Sequence, residues 1–299
     1  MVNGIINVYK EKGYTSFDVV AKMRGIFHQK KIGHTGTLDP DAEGVLPVCL
    51  GKATRVCDLL TDKDKVYRTV LLLGQETDTQ DISGRVLNKC DVNVTEEQVR
   101  DVVEQFKGPQ KQIPPMYSAL KVNGKKLYEL AREGVTVERK ARDIDVFDIK
   151  IERIELPEVE MTIHCSKGTY IRTICNDIGE KLGCHGCMKS LLRTRVAGFD
   201  IKDAIKLSEI QKRSDNGEFD MVISVDSVFR ELTRVNVQKE ADKLVRNGNK
   251  LPVVFTDMTG EKPDPDVRYR LYTHDGIFIG VYSYIEDTSE FKPIKIFME

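Results

Sequence analysis

Gly33-His34-Thr35-Gly36-Thr37-Leu38-Asp39-Pro40, running on through Gly44 to Leu46-Pro47, is the stretch from which the rest of the chain is best read. Pro40 fixes its own φ and drives Asp39 toward an extended backbone, so the carboxylate sits on a stiff support. The flanking glycines let a ligand or a second segment approach closely. The loop lies between a predicted helix and an apolar run, and it offers one acid as a reagent. Read alone, Asp39-Pro40 favours an ordinary turn or helix-capping aspartate over a reagent, at roughly two to one.

Upstream of the loop, Ile5 to Tyr9 alternates as a short strand. Ser16 offers an N-cap to a helix bearing Val19, Val20, Met23, Ile26 and Phe27. Downstream, Val66–Leu73 is a β-rich run and Gly84–Leu87 a return strand. Thr95 and Gln98 form a capping box for a helix bearing Val99, Val102, Val103 and Phe106, stopped at Gly108-Pro109. Residues 109–140, punctuated by Pro114, Pro115, Asn123-Gly124 and Gly134, read as an exposed excursion with a short helix at Tyr128–Arg132. Two strands, Ile144–Ile154 and Val159–Cys165, precede a helix over Ile171–Leu182 that closes at Gly183. A Ser208-capped helix and a turn at 214–217 follow. From about Thr233 a compact unit is predicted: a helix at Val237–Arg246, then strands near 251–255, 267–273, 277–284 and 294–298, with His274-Asp275-Gly276 as a hairpin turn. Strands and helices come in mixed order, which is an α+β class rather than a βαβ repeat.

The 299 residues suit one large and one small domain, divided here at 1–231 and 232–299. There is no run long and apolar enough to span a membrane and no secretory leader, so a cytoplasmic protein with seven reduced cysteines is expected. Cys184-His185-Gly186-Cys187 has metal-like spacing but lacks a second close pair, so no metal is expected. The net charge of −1 is unevenly spread. Residues 107–142 carry nine Lys/Arg against three Asp/Glu, a net of +6, and residues 164–195 a net of +4, leaving −11 on the remainder. Clustered cations of this kind neutralise phosphates, although a charged stretch is also an ordinary solvated face.

Five ordered blocks carry a resemblance that covers essentially the whole chain. They are GHTGTLDPDAEGVLPVCLG, Lys65-Val66-Tyr67-Arg68, Gly74-Gln75-Glu76-Thr77-Asp78-Thr79, Pro114-Pro115-Met116-Tyr117-Ser118-Ala119-Leu120-Lys121 and Cys165-Ser166-Lys167-Gly168-Thr169-Tyr170-Ile171-Arg172. Together they resemble the TruB family of tRNA pseudouridine synthases in its bacterial form. That resemblance implies an α+β fold with a mixed, mainly antiparallel sheet and flanking helices, plus a small C-terminal barrel-like unit of the PUA type around Leu244-Val245-Arg246-Asn247-Gly248.

The resemblance further implies conversion of uridine 55 in the tRNA T-loop to pseudouridine by base flipping, without cofactor, metal or guide RNA, by a monomer. Asp39 would be the catalytic carboxylate. Arg172 would be its cationic partner, and Tyr67 would stack on the uracil. Tyr170 and Leu191 would line the pocket, His34 would meet the displaced nucleotide, and Lys10 and Lys121 would bind substrate. The basic excursion 109–140 would grip the RNA. Two positions depart from the family pattern: Tyr9-Lys10-Glu11 replaces Asp-Lys-Pro, which puts a supporting turn in doubt. Leu192-Arg193 replaces an arginine pair, which removes a phosphate contact.

One rival reading is a non-catalytic RNA-binding protein or tRNA chaperone that uses the same basic surfaces; it predicts indifference to Asp39. A phosphate-loop enzyme, suggested by Gly51-Lys52-Ala53-Thr54, fails because Leu46 and Ala53 stand where glycine and Ser/Thr are required. A guide-RNA-dependent synthase fits the loop and the full basic insertion less well.

Overall fold

The computed structural model describes residues 1–298 apart from Asn123, so the first half of the expected Asn123-Gly124 turn lies outside the described residues. Among the described residues the largest element is a ten-stranded mixed sheet. Its main path runs Ile205–Lys206, Gly4–Lys10, Glu43–Leu50, Gly186–Val196, Lys65–Leu73, Glu158–Cys165, Arg142–Glu155 and Gly108–Gln112. Neighbours on this path are antiparallel except at its first pair and at one central seam. At that seam Leu192 and Arg193 pair in parallel with Glu43 and Gly44.

The seam needs glycine. Gly44 has φ of +109°, and a Cβ there would stand 2.2 Å from the Arg193 carbonyl oxygen. Two half-sheets therefore meet backbone to backbone, and the Asp39 loop, which enters the Glu43–Leu50 strand, lies beside the junction.

Alternation along Gly4–Lys10 covers both faces of its half of the sheet. Ile6 and Val8 pack with Leu46, Val48 and Leu50 against Val19, Val20 and Met23 of helix Ser16–Phe27 and Ile210 of helix Leu207–Asp215. Ile5 and Cys49 point the other way, into a cluster with Ala53, Val56, Leu60, Val225 and Phe297. The other half-sheet is covered by helices Glu96–Glu104 and Ile171–Lys181 through Val99, Val103, Ile174 and Ile178.

Several expected boundaries move. Thr15, not Ser16, caps the first helix, in a reciprocal box with Asp18; Ser16 is buried and bonded elsewhere. The return strand falls at Val86–Lys89 and pairs with Gln75–Thr77 as a separate ribbon. Leu207–Asp215 begins before Ser208, without a side-chain cap bond. Gly108–Gln112, read as the start of the excursion, is the edge strand of the main sheet. The excursion proper then forms a ribbon, Lys121–Val122 with Lys125–Lys126, and a helix, Leu127–Arg132.

The C-terminal unit is a curled five-stranded sheet ordered Thr233–Asn236, Arg268–Tyr272, Phe278–Ile285, Glu290–Ile296 and Leu251–Pro252. Val237 does not start a helix because its N–H bonds to the Tyr272 carbonyl; a 3-10 turn at Lys239–Ala241 and a helix at Asp242–Arg246 follow. Lys52 and Arg55 donate to the carbonyls of Met298 and Ile296, binding this unit to the 3-10 turn Gly51–Val56 that follows strand Glu43–Leu50. Among the described residues no helix is long and apolar enough to cross a membrane.

Candidate active site

Leu38 is buried and holds the Asp39 loop to the first helix. Its N–H donates to the Ser16 hydroxyl at 2.9 Å, and its carbonyl accepts from that hydroxyl at 3.3 Å. On the other side of Asp39, Lys10 is wholly buried and donates to the carbonyls of Pro40 at 3.1 Å, Ala42 at 2.5 Å and Glu11 at 3.3 Å. Its ammonium is spent on the loop backbone, so the expected substrate contact is replaced by an internal one. Burial lowers its pKa to about 8, against the opposing pull of Asp39 and Glu43. The supporting turn doubted from Tyr9-Lys10-Glu11 is thus present, with Gly13 N–H also reaching the Pro40 carbonyl at 2.9 Å.

Arg172 occupies the first turn of helix Ile171–Lys181 and is buried. Its Nη2 lies 3.2 Å from Asp39 Oδ2 and donates to the Tyr117 carbonyl at 2.9 Å. Its Nη1 meets Asp81 Oδ2 at 3.4 Å and the Thr79 carbonyl at 3.3 Å. The sequence-predicted pair is therefore together, and four residues from three other segments surround one guanidinium. The Asp39 side chain remains 44 % exposed while Arg172 is buried. Burial holds its carboxyl above the ordinary carboxylate range; Arg172 is the strongest opposing influence, while the Asp81 charge adds to the rise.

Tyr67 is buried on the central strand, and burial raises its phenol pKa, so it stays neutral through the physiological range. Leu191, partly buried, packs on the cluster that contains Leu38 and Tyr67. Tyr170 precedes Arg172 and is half-buried, its phenol pKa raised by burial. His34 accepts from the Gly36 N–H at 3.3 Å through Nδ1; burial first, then Arg193, push its pKa down and keep the imidazole neutral. Lys121 is exposed on the ribbon of the insertion, outside this cluster.

Three further residues belong to the site although the sequence reading did not select them. Asp81 stands two positions beyond the Gly74–Thr79 block and is the second acid on Arg172. Arg193 is fully buried beside the Tyr67 phenol and donates to the carbonyls of Val45 at 2.7 Å and Gly36 at 3.2 Å. Gln112 is buried and clasps the Tyr170 backbone, giving Nε2–H to its carbonyl at 3.0 Å and taking its N–H at 2.8 Å. Only position offered a signal for Asp81 and Gln112: each adjoins a quoted block. The cysteines of the 184–187 motif do not converge with His185. Cys187 takes a hydrogen bond from Gln75, and His185 turns to Glu180 at 2.7 Å.

Residues 24–171 match the model for "TruB family pseudouridylate synthase (N terminal domain)", and 172–235 match "tRNA pseudouridylate synthase B C-terminal domain". The chain is 52 % identical to tRNA pseudouridine synthase B of Lachnoclostridium phytofermentans, across 99 % of this chain and all of the relative. It is 42 % identical to the Clostridium perfringens enzyme of the same name, across the whole of both. In structure it resembles a chain of a Cbf5-Nop10-Gar1 complex, with a TM-score of 0.72 at 25 % identity, over 99 % of this chain and 85 % of that one. An H/ACA RNP bound to a substrate RNA containing 2′-deoxyuridine gives the same TM-score and coverage at 24 % identity, and shares the fold. The chain belongs to the TruB family of pseudouridylate synthases, and its activity is that of a tRNA pseudouridine synthase, an isomerase.

Proposed function

We propose that this enzyme isomerises uridine 55 of the tRNA T-loop and that Asp39 is the reacting carboxylate. The single observation that carries the reading is the 3.2 Å approach of a buried guanidinium to an acid that is itself still reachable. A carboxylate in such a place acts on ribose in one of two ways. It attacks C1′ as the C1′–N1 bond breaks, or it takes a sugar proton as that bond breaks; both need the same placement. The freed uracil turns and C5 bonds to C1′. The C1′–carboxylate bond breaks as that bond forms, or, on the other route, the proton taken from the sugar is returned to it. C5 then loses its proton, and N1 gains one.

The uridine must first leave its stack, at a cost of a few kcal/mol. In our reading Tyr67 stacks on the turned-out base, Tyr170 and Leu191 flank it, and His34 meets the space it vacates. The insertion, with Lys121, Lys125, Lys126 and Arg132, grips the stem. Residues 232–299 add a second RNA contact, and the protein works without guide RNA in the cytoplasm.

Release of tritium from C5-labelled uridine in a tRNA transcript tests this. The unaltered protein releases one tritium per tRNA and Asp39→Asn none. Equal release from both, or release that persists when uridine 55 is replaced by cytidine, overturns the assignment.

A further inference from the structure

Among the described residues Phe17 is, after the N-terminal Met1, the most exposed large apolar side chain, at 72 %. It does not sit on a loose loop. It is the second residue of helix Ser16–Phe27, inside a first turn held by the Thr15–Asp18 box. Its neighbour Ser16 is the residue bonded twice to the Leu38 backbone, so the Phe17 ring is tied at close range to the segment that carries Asp39. The ring stands edge to face with the His34 imidazole, with centroids 5.5 Å apart and planes at 89°. Such a pairing occupies at most one side of the phenyl ring.

The surroundings suit a nucleic acid. Lys22 Nζ, midway along the helix, lies 5.5 Å from the Tyr14 ring centroid, and Lys12, well exposed, lies 3.9 Å from Asp41, two residues past Asp39. Aromatic rings interleaved with cations beside a site that takes RNA are the pattern of a base-stacking surface, because every base offers a π face. Isolated exposed apolar residues are common on protein surfaces. This one is paired with the His34 ring and adjoins, through Ser16, the loop that carries Asp39.

We propose that Phe17, backed by His34, is a stacking platform for an unpaired nucleobase of the substrate RNA adjacent to the target uridine. The proposal rests on the reading that RNA enters at the Asp39 loop, but it concerns binding rather than turnover. The chain contains no tryptophan. Phe17→Trp therefore places a sole indole at the platform, and a base that stacks on it quenches its emission.

The experiment titrates full-length Phe17→Trp, in an Asp39→Asn background to prevent turnover, with unmodified tRNA transcript. The control is Phe219→Trp, 45 % exposed and packed on Phe27 at the far end of the same helix. Emission is expected to fall on RNA binding at 17 and to stay constant at 219. In parallel, Phe17→Leu and Phe17→Ala are expected to raise the KM for tRNA by roughly tenfold at unchanged melting temperature, the loss of one base stack.

Unchanged emission at 17 while filter retention reports bound RNA overturns the platform. So does a Phe17→Leu protein with ordinary KM, or quenching that follows protein concentration without RNA, which would make this face a contact between copies. Bound RNA with quenching but no tritium release from the unaltered protein would sink the synthase reading and leave the platform standing.

Discussion

Arg172 stands 3.2 Å from Asp39 and 3.4 Å from Asp81, so one buried guanidinium serves two acids. The acids are not equivalent, since Asp39 is 44 % exposed and Asp81 only 16 %. Asp81, Thr79 and Tyr117 fix the cation, and Asp39 is the more exposed of its two acids.

This arrangement predicts the behaviour of Asp81→Asn. The Asp81 charge raises the Asp39 pKa, so its removal moves the acid limb of the kcat–pH profile to lower pH. The same change loosens Arg172 and lowers kcat by up to about 100-fold. A pH–rate series on tritium release reads both effects. An acid limb that stays in place would mean that the two carboxylates are not electrostatically coupled.

Asp39 itself should cost the fold stability. Its native pKa is raised by burial above the unfolded value. For an acid the sign is then unfavourable: the penalty is absent below the unfolded pKa of about 3.9 and fully present above the native one. Asp39→Asn is therefore expected to melt at the same or a higher temperature at pH 7, with the advantage shrinking as pH falls toward 4, while activity drops at least about a thousandfold. Calorimetry of the two proteins across that range checks it, and a less stable Asn variant at pH 7 would contradict the reading.

Lys10 gives the alkaline side of the profile. Its protonated amine serves three carbonyls around the loop, and its pKa is lowered to about 8. Above that pH one donor is lost and the loop slackens, so kcat is expected to fall through about 8. The stability sign is opposite: between the native pKa and the unfolded value of about 10.4 the unfolded chain holds more protons, so this group alone makes the fold more stable as pH rises. Lys10→Met should show low activity without an inflexion near 8 and lose about 1–3 kcal/mol through loss of the ammonium's bonds to the Ala42 and Glu11 carbonyls, the Pro40 carbonyl keeping the Gly13 N–H. An alkaline limb that survives in the variant would belong to another group.

How much of this was legible in the sequence depends on how local each signal is. The Asp39 loop announces itself because glycine and proline constrain backbone at the residue that carries them. The capping box at Thr95 and Gln98 is local in the same way and is present as expected. Strand Gly186–Val196 gave no such signal, although it is the centre of the sheet. It is bulged between Met188 and Ser190 and again between Arg193 and Arg195, so its apolar residues fall out of period two. Hidden with it was the burial of Arg193, a charge that reads as surface until the parallel seam with Gly44 encloses it. Arg172 pairs with an acid 133 positions upstream, and no local pattern reports that distance; the family resemblance alone selected it.

Gln112 is the sharpest test of positioning, because it is buried and makes no bond to Asp39. Its amide makes two bonds to the backbone of Tyr170, across a sequence separation of 58, and Arg172 follows two residues later. Five residues beyond Gln112, the Tyr117 carbonyl accepts from Arg172 directly. The start of the 109–140 excursion is thus bonded twice to the segment that places Arg172. Gln112→Leu leaves the Tyr170 N–H unpaired, at about 1–3 kcal/mol, and takes one of two donors from its carbonyl, which keeps the Ile174 N–H at 3.2 Å. It is expected to cut kcat by about 10- to 100-fold with KM for tRNA within a factor of about three, since the insertion's own cations are untouched. Gln112→Glu keeps the acceptor and loses only the donor at neutral pH, so it should fall between the two. A variant that loses affinity with kcat intact would place Gln112 in RNA binding instead. One that loses both in proportion to its drop in melting temperature would make it a folding residue.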